Sequence, residues 1–597
     1  MSLVFDLESN GLLHQLDTIH CIAVYDTKCA DRRVNALKIY HGPDGIKEAL
    51  DLIAEADEII GHNVIGFDIP AIQKVSPGWH PKGKVTDTLV ISRLVAADLR
   101  NDDATSLGLP EGFQRRMFGS HALKAWGLRM GTMKGDYGGG WETCNPEMLE
   151  YCKQDVTVTY ELYKKLMKMA KGFSQESLDL EHELAEICYR VGNNGWTFDV
   201  KAAEVLYVDL ATTRIALEKE LFELFEPWEV HTEFVPRVNN KSRGYVKGEV
   251  FTKVQVIEFN PNSRKHIHYC LVKKYGWKPK SFTPSGEAKV DETVLSQLPY
   301  PEAKKLSKFM LVQKRIAQLA EGSQAWLKLV GSDGKLRHTI ISGGTVSGRA
   351  AHRGPNVAQT VSARAAYGKP MRELFTVPPG WHLCGGDLSQ LELRCLAYFL
   401  DDGGEYARQI MEGDIHTYVQ KSAGLPDRAS AKVFSYSLLY GGGDALIGKI
   451  VGGSAKDGKR LKAEFDKNIP SFKSLKNELS QAYKRGYLKG LDGRKLFVRS
   501  EHKCLSQLLQ SAGALLCKKW LALVDQEIKA QNLEKDALIV AWVHDELQIA
   551  CRTKEVAHNV GDILRRMAEE AGTHFSISNK LPIEADYSVG RTWCDTH

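Results

Sequence analysis

The sequence predicts an α/β N-terminal domain followed by a larger α+β body, and three observations carry that expectation. At 597 residues the chain is too long for one hydrophobic core and should divide into several domains. Residues 1–173 alternate strand-like and helix-like patterns, as α/β construction requires. Beyond residue 326, short apolar strands stand among long helical stretches.

In chain order, Leu3 to Leu7 and Thr18 to Tyr25 read as strands and Ile46 to Ala56 as a helix. Gly135 to Gly140 breaks the pattern, and Pro146 suits the first turn of a helix from about Asn145 to Met169. Residues 174–225 are periodic over long helical runs. From Trp228 to Ile257 the helical signal stops, and His231, Arg237, Lys241, Arg243, Lys247 and Lys253 fall among Gly, Asn and Ser. That stretch reads as an exposed basic insertion. Helices resume near Asn262, and a helical block spans about Ile415 to Tyr487. Near the end, LIVAWV and LQIAC form a strand pair joined by HDE.

A formal charge of +5 is small for this length, so any nucleic-acid channel must come from local clustering. Lys518-Lys519 and the run Arg494, Lys495 and Arg499 are candidates, each weighed against an ordinary solvated surface. Twelve cysteines without a C-x-x-C pair suggest neither a zinc site nor a redox motif and fit a reducing cytoplasm. Two acids in the first eight residues do not read as a signal peptide, and no apolar run approaches the ~20 residues that span a bilayer. The expectation is a soluble cytoplasmic protein with no membrane partner.

Asp6 and Glu8 lie two apart in a strand-like segment and so project from one face. Asp68 follows in HNVIGFDI, and Tyr151 and Asp155 sit four apart on a helix. Four carboxylates in one place repel unless divalent cations neutralise them, and hard oxygen ligands suit Mg²⁺ or Mn²⁺. Two ions ~3.5–4 Å apart can cut a phosphodiester, with Tyr151 holding or orienting the attacking water. Any one of these acids alone is better read as a surface or capping residue.

A second constellation lies in the C-terminal part. WHLCGGDLSQLELR reads as a strand ending at Asp387, then a helix carrying Glu392, while VHDELQ sets Asp545 at a tight turn. Between them, Arg428, Lys432, Tyr436 and Tyr440 recur every fourth residue, each step winding ~40° around a helix. Two cations followed by two aromatics can hold a triphosphate at one end and stack on a base at the other, although a Tyr stripe alone is more often core.

These motifs carry two resemblances. D-x-E at Asp6 and Glu8, N-x-x-x-F-D at Asn63 to Asp68 and Y-x-x-x-D at Tyr151 to Asp155 resemble the DEDD exonucleases. DLSQLELR, R-x-x-x-K-x-x-x-Y-x-x-x-Y-G and VHDE resemble motifs A, B and C of family A DNA polymerases, the DNA polymerase I class. LDGRKLFVRS, LLQSAGALLCKKW and AWVHDELQIACRT bring the likeness closest to the replicative polymerases of short-tailed bacteriophages.

The resemblance implies an RNase H-like 3′–5′ exonuclease domain at 1–173 and a right-hand polymerase domain. Its thumb would span 174–325 with the basic insertion at 228–257, its palm 326–410 and 491–597, and its fingers 411–490. A separate 5′-nuclease domain is not expected, since the exonuclease motif begins at Asp6. Two Mg²⁺ per active site, replaceable by Mn²⁺, would be held by Asp387, Asp545 and the Leu388 backbone, and by Asp6, Glu8, Asp68 and Asp155. Arg428, Lys432 and His416 would neutralise dNTP phosphates, Tyr436 would abut the incoming nucleotide, and Glu392 would block the 2′ position. Arg349, Gln359, Tyr440, Gln510 and His544 would touch primer–template DNA. The role of Glu546 stays open, since it should point away from the Asp545 ion.

Implied partners are primer–template DNA, dNTPs and replisome proteins such as a helicase-primase and single-strand-binding protein. Some phage relatives recruit host thioredoxin through a thumb insertion; residues 228–257 are much shorter, which argues against that clamp. Ser437 stands where close phage relatives have glycine, and DLSQ is nearer the bacterial pattern. Two rival readings are a single-subunit RNA polymerase relative and an exonuclease with a non-catalytic DNA-binding scaffold. The first would lack an exonuclease domain and the Glu392 gate, and the second would not need Asp387, Lys432 and Asp545.

Overall fold

A computed structural model describes residues 1–28, 36–106, 108–133 and 135–597. Two compact units emerge. The larger comprises Met1–Thr197, Arg337–Thr360 and Phe375–His597; the smaller comprises Phe198–Leu336 and Val361–Leu374.

In the larger unit, the N-terminal α/β region is built on a five-stranded sheet. Its strand order is Leu37–His41, Ile19–Asp26, Ser2–Ser9, Glu58–Gly61 and Lys84–Asp87. The first three pair antiparallel and the last two join in parallel. Ser2–Ser9 is central and buried almost throughout, so polar groups on it are held rigidly. The expected helix near residue 46 runs Gly42–Ala54, entered through Pro43. Pro146–Met169 is capped by the Asn145 side chain, which accepts from the Met148 amide at 2.8 Å, and it packs on the two middle strands.

The second sheet of this unit is fully antiparallel, in the order Ala537–Val543, Glu546–Cys551, His382–Leu388 and Ala585–Gly590. Helix Lys554–His574 covers it and packs on the long helix Cys504–Ala530. Helices between Glu405 and Lys484 form the expected helical block.

Helix Gln175–Asn194, grouped by sequence with residues 174–325, belongs to the larger unit. Its Glu181 is fully buried and pairs with Lys518 and, at 2.9 Å, with Arg494. Arg494 also grips Asp492 at 2.7 Å. Burial alone would raise the Glu181 carboxyl, but the Lys518 and Arg494 cations override it and hold it at about 2. This corrects the reading of Lys518 and Arg494 as surface or channel cations. Their partner acid lies more than 300 residues away in sequence, out of reach of any local charge pattern.

In the smaller unit, Val200–Leu224 packs against Pro301–Ile316. The basic insertion is a two-stranded ribbon, Trp228–Phe234 against Phe251–Ile257, in register from Trp228↔Ile257 to Phe234↔Phe251. Its arms set β-branched or aromatic residues (Trp228, Val230, Thr232 and Phe234; Thr252, Val254 and Val256) at alternate positions between polar ones, while Arg237, Lys241, Arg243 and Lys247 are exposed on the tip.

Candidate active site

Asp387 ends the central strand of the antiparallel sheet, directly opposite Glu546 on one neighbour and Asp586 on the other. Asp545 sits in the two-residue turn His544-Asp545, where His544 adopts φ 59°, a left-handed conformation that non-glycine residues take sparingly. The Leu388 amide donates to the Asp545 carbonyl at 3.0 Å, which brings the strand end and the turn together. Leu388 is otherwise buried, so it can enter the site only through its backbone.

Burial first, then the charges of Asp545 and Glu546, push the Asp387 carboxyl up to about 7. Burial and the Glu392 charge raise Asp545 as well. Glu546, across from Asp387, turns its carboxylate to Trp593 Nε1 at 2.5 Å, Gln548 Nε2 at 2.6 Å and His597 at 2.9 Å. It is therefore tied to the C-terminal segment, consistent with its pointing away from the Asp545 position.

Gln390, at φ 52°, turns the chain from this strand into helix Leu391–Phe399, which presents Glu392. Glu392 Oε1 accepts from Arg349 Nη2 at 3.0 Å and from the Tyr440 hydroxyl at 2.8 Å. Helix Arg428–Leu439 starts from the Asp427 cap and buries Ala431, Phe434, Ser435 and Leu439. The opposite face shows Arg428, Lys432 and Tyr436, with Tyr440 closing its end. Tyr436 is half-buried, and burial, then the Glu392 and Asp545 charges, raise its hydroxyl.

Asp414, which the sequence spacing does not single out, accepts from Arg428 Nε at 2.6 Å and caps the helix that begins at Ile415. His416 follows it; burial lowers its pKa, and so do the neighbouring Arg428 and Lys432 cations. Arg349, His544 and Asp545 line one small cleft with Gly513 and Trp542. Gln510 stands one turn before Gly513 and donates to Ser506 Oγ at 3.1 Å, and its neighbour Gln507 fixes the Arg349 segment by donating to the Val346 carbonyl at 2.8 Å. Gln359 closes a short helical turn, Val357–Gln359, in the same segment.

In the N-terminal sheet, Asp6, Glu8 and Cys152 bring potential ligand atoms within 4.8 Å of one another. Cys152 Sγ donates to the Asp6 carbonyl at 3.5 Å, so helix Pro146–Met169 meets the central strand at the acids. Cys152 lies between Tyr151 and Asp155, and only this helix–strand contact reveals it. Asp155 is buried, and Tyr151 packs its ring near Tyr137 and Trp141. Asp68 is buried in the first turn of helix Asp68–Val75. The preceding loop bends at Asn63, φ 69°, and is held by Asp87, whose carboxylate accepts from the Asn63 and Ile65 amides.

Comparison with known proteins gives the class to which this chain belongs. The profile of DNA polymerase family A matches residues 237–595, and the chain belongs to that family. It is 35% identical over 716 aligned positions to the DNA-directed DNA polymerase of Enterobacteria phage T3, and 35% over 714 to that of Escherichia phage T7. Both alignments span 100% of this chain and of the relative. DNA polymerase I of Pseudomonas aeruginosa is 23% identical over 473 positions, covering 75% of this chain and 47% of that protein. The polymerase domain of Pol1 from M. smegmatis, solved with DNA primer-template and dNTP, shares the fold at TM-score 0.74 and 17% identity, over 100% of this chain and 95% of that one. Among the described residues no helix is long and apolar enough to cross a membrane.

Proposed function

We propose that this chain extends the 3′ end of a DNA primer with deoxynucleotides and excises mispaired ends with a 3′–5′ exonuclease in its N-terminal domain. Family membership supports the first activity. The observation that supports its placement is the junction of Asp387 with the Asp545 turn, where the Asp545 charge adds to desolvation in raising the Asp387 carboxyl. Such an all-oxygen pair lacks positive charge and fits divalent cations, Mg²⁺ with Mn²⁺ as substitute. Bound there, a pair of ions supplies activation of the primer hydroxyl and neutralisation of the leaving pyrophosphate.

The chain's own groups do the rest. Arg428, Lys432 and His416 meet the triphosphate oxygens, and Tyr436 abuts the incoming base and sugar. Glu392, braced by Arg349 and Tyr440, excludes a 2′-hydroxyl. Arg349, Gln359, Gln510 and His544 check minor-groove acceptors that all correct pairs share. Residues 326–410 and 491–597 serve as palm, 411–490 as fingers, and 174–325, which carries the ribbon, as thumb.

For the exonuclease, the supporting observation is the Asp6–Glu8 pair on a rigid central strand, with Asp155 on the helix that crosses it. Asp6, Glu8, Asp68 and Asp155 would hold the ions, and Tyr151 would orient the water. Extension of a labelled primer with Mg²⁺ tests both sites. Asp545→Ala should abolish extension, and Asp6→Ala with Glu8→Ala should abolish 3′ degradation while keeping extension. Normal extension by Asp545→Ala would remove the metal assignment at the C-terminal turn.

A further inference from the structure

Helix Val200–Leu224, in the smaller unit, is apolar on two opposite faces. One face carries the buried row Ala203, Leu210, Leu217 and Leu221, and the helix packs on Pro301–Ile316. Ion pairs complete that side, Glu220 with Lys305 and Arg214 with Glu321 at 2.8 Å. The other face carries Val205, Val208, Thr212, Ile215, Lys219 and Phe222, all of them exposed. Val205, Val208, Ile215 and Phe222 are each more than half exposed.

Single exposed apolar side chains are ordinary, but these fall in one line of about 26 Å. A helix apolar all round is normally covered all round. The line advances in steps of three, four, three, four and three, the a and d positions of a coiled-coil seam. Ile215, Glu218, Lys219 and Phe222, at i, i+3, i+4 and i+7, line an open recess with Glu223. Four residues so spaced form the hole into which a facing helix inserts a knob side chain.

Charge selects the occupant. Glu204 and Glu218 flank the line on one side, Asp209 and Glu223 on the other. Among the described residues none of the four is within ion-pair distance of a cation, whereas the acids facing Pro301–Ile316 and its extension are paired. A second copy of this helix, laid in either direction, would set acid beside acid. DNA phosphates would meet the same repulsion. We propose that this face docks an amphipathic helix of a partner protein, with an apolar a/d seam and Lys or Arg at the flanking positions. Neither catalytic assignment is needed for it.

The probe is a fluorescent peptide of about three heptads, leucine at a and d and lysine at e and g, whose like charges keep it monomeric. It should bind the full chain one to one, and a peptide with the same leucines flanked by glutamate should bind about tenfold more weakly or less. Ile215→Ser with Phe222→Ser should weaken lysine-peptide binding about tenfold without moving the melting temperature, because both side chains are exposed. Glu204→Gln, Asp209→Asn, Glu218→Gln and Glu223→Gln together should flatten its salt dependence. A photoreactive group in the peptide's leucine seam should label residues 205–222. Equal binding of the two peptides, unchanged binding by the double serine variant, or labels confined elsewhere would each overturn the proposal. So would a dimer of the free chain that the double variant abolishes, which would make a second copy the occupant. Loss of duplex DNA affinity in that variant would overturn it too, by making the face a nucleic-acid surface.

Discussion

Tyr440 donates its hydroxyl hydrogen to Glu392 Oε1 at 2.8 Å, the same oxygen that Arg349 Nη2 reaches at 3.0 Å. One carboxylate oxygen thus joins the end of helix Arg428–Leu439, the helix after Asp387 and the segment beside the Asp545 turn. Burial, then the Glu392 charge, pushes the Tyr440 hydroxyl up to about 12, so it remains a donor at any working pH.

That brace should set sugar selection. A hydrogen bond to a charged acceptor contributes ~1.5–3 kcal/mol, and a half-exposed tyrosine belongs at the low end. Tyr440→Phe is expected to raise the ratio of ribonucleotide to deoxynucleotide kcat/KM about tenfold, and Glu392→Ala to raise it further. An unchanged ratio in Tyr440→Phe would mean that Arg349 alone holds the carboxylate.

The buried cluster of Glu181, Lys518, Arg494 and Asp492 should respond asymmetrically to substitution. Lys518→Met leaves Glu181 short of a partner in a dry site, and breaking a buried pair costs ~3–5 kcal/mol. The double change Glu181→Leu with Lys518→Met should recover most of that loss in denaturant melts. The pH sign follows from the Glu181 carboxyl being held below its ordinary 4.5. Its contribution is present above 4.5 and is lost as pH falls towards about 2, so the gap between wild type and Lys518→Met should close on acidification.

This cluster also shows where the sequence stops being informative. The stripe Arg428, Lys432, Tyr436, Tyr440 and the strand-end acids Asp387 and Asp545 are legible because their spacing is local and helical or strand geometry fixes their direction. The burial of Lys518 and Arg494 depends on Glu181 arriving from another segment, and a charge run looks the same on a surface or in a core. Asp414 escapes notice because its grip on Arg428 requires fourteen residues to fold back. The ribbon is hidden for a different reason: the charged tip dominates the composition of 228–257 and masks the alternation in its arms.

The tip of that ribbon carries Arg237, Lys241, Arg243 and Lys247 with no acid between Glu233 and Glu249. Replacing all four by alanine should weaken DNA binding uniformly across sequences and flatten its salt dependence, which is what phosphate contacts produce. Surface changes of this kind leave stability within about 0.5 kcal/mol, so thermal melts should barely move. Adding thioredoxin should not lengthen products in a single-binding-event assay. Strong lengthening would make the short ribbon a clamp site after all.

The Asp387 carboxyl, raised to about 7, predicts how cations and pH act on stability. A raised carboxyl prefers its proton in the folded state. Its favourable contribution is therefore complete below the ordinary 3.8 and is lost as pH rises through about 7. In chelator at pH 8, Asp387→Asn should melt above wild type, and the difference should vanish near pH 4. Mg²⁺ reverses the order, because a ligand that binds only the folded state at a hundredfold excess over Kd adds about 2.7 kcal/mol. The comparison belongs in the Asp6→Ala, Glu8→Ala background, so that ions at the N-terminal acids do not contribute. There, wild-type Asp387 should gain stability with Mg²⁺ and Asp387→Asn should gain much less. Equal gains would show that the ions which support extension are held without Asp387.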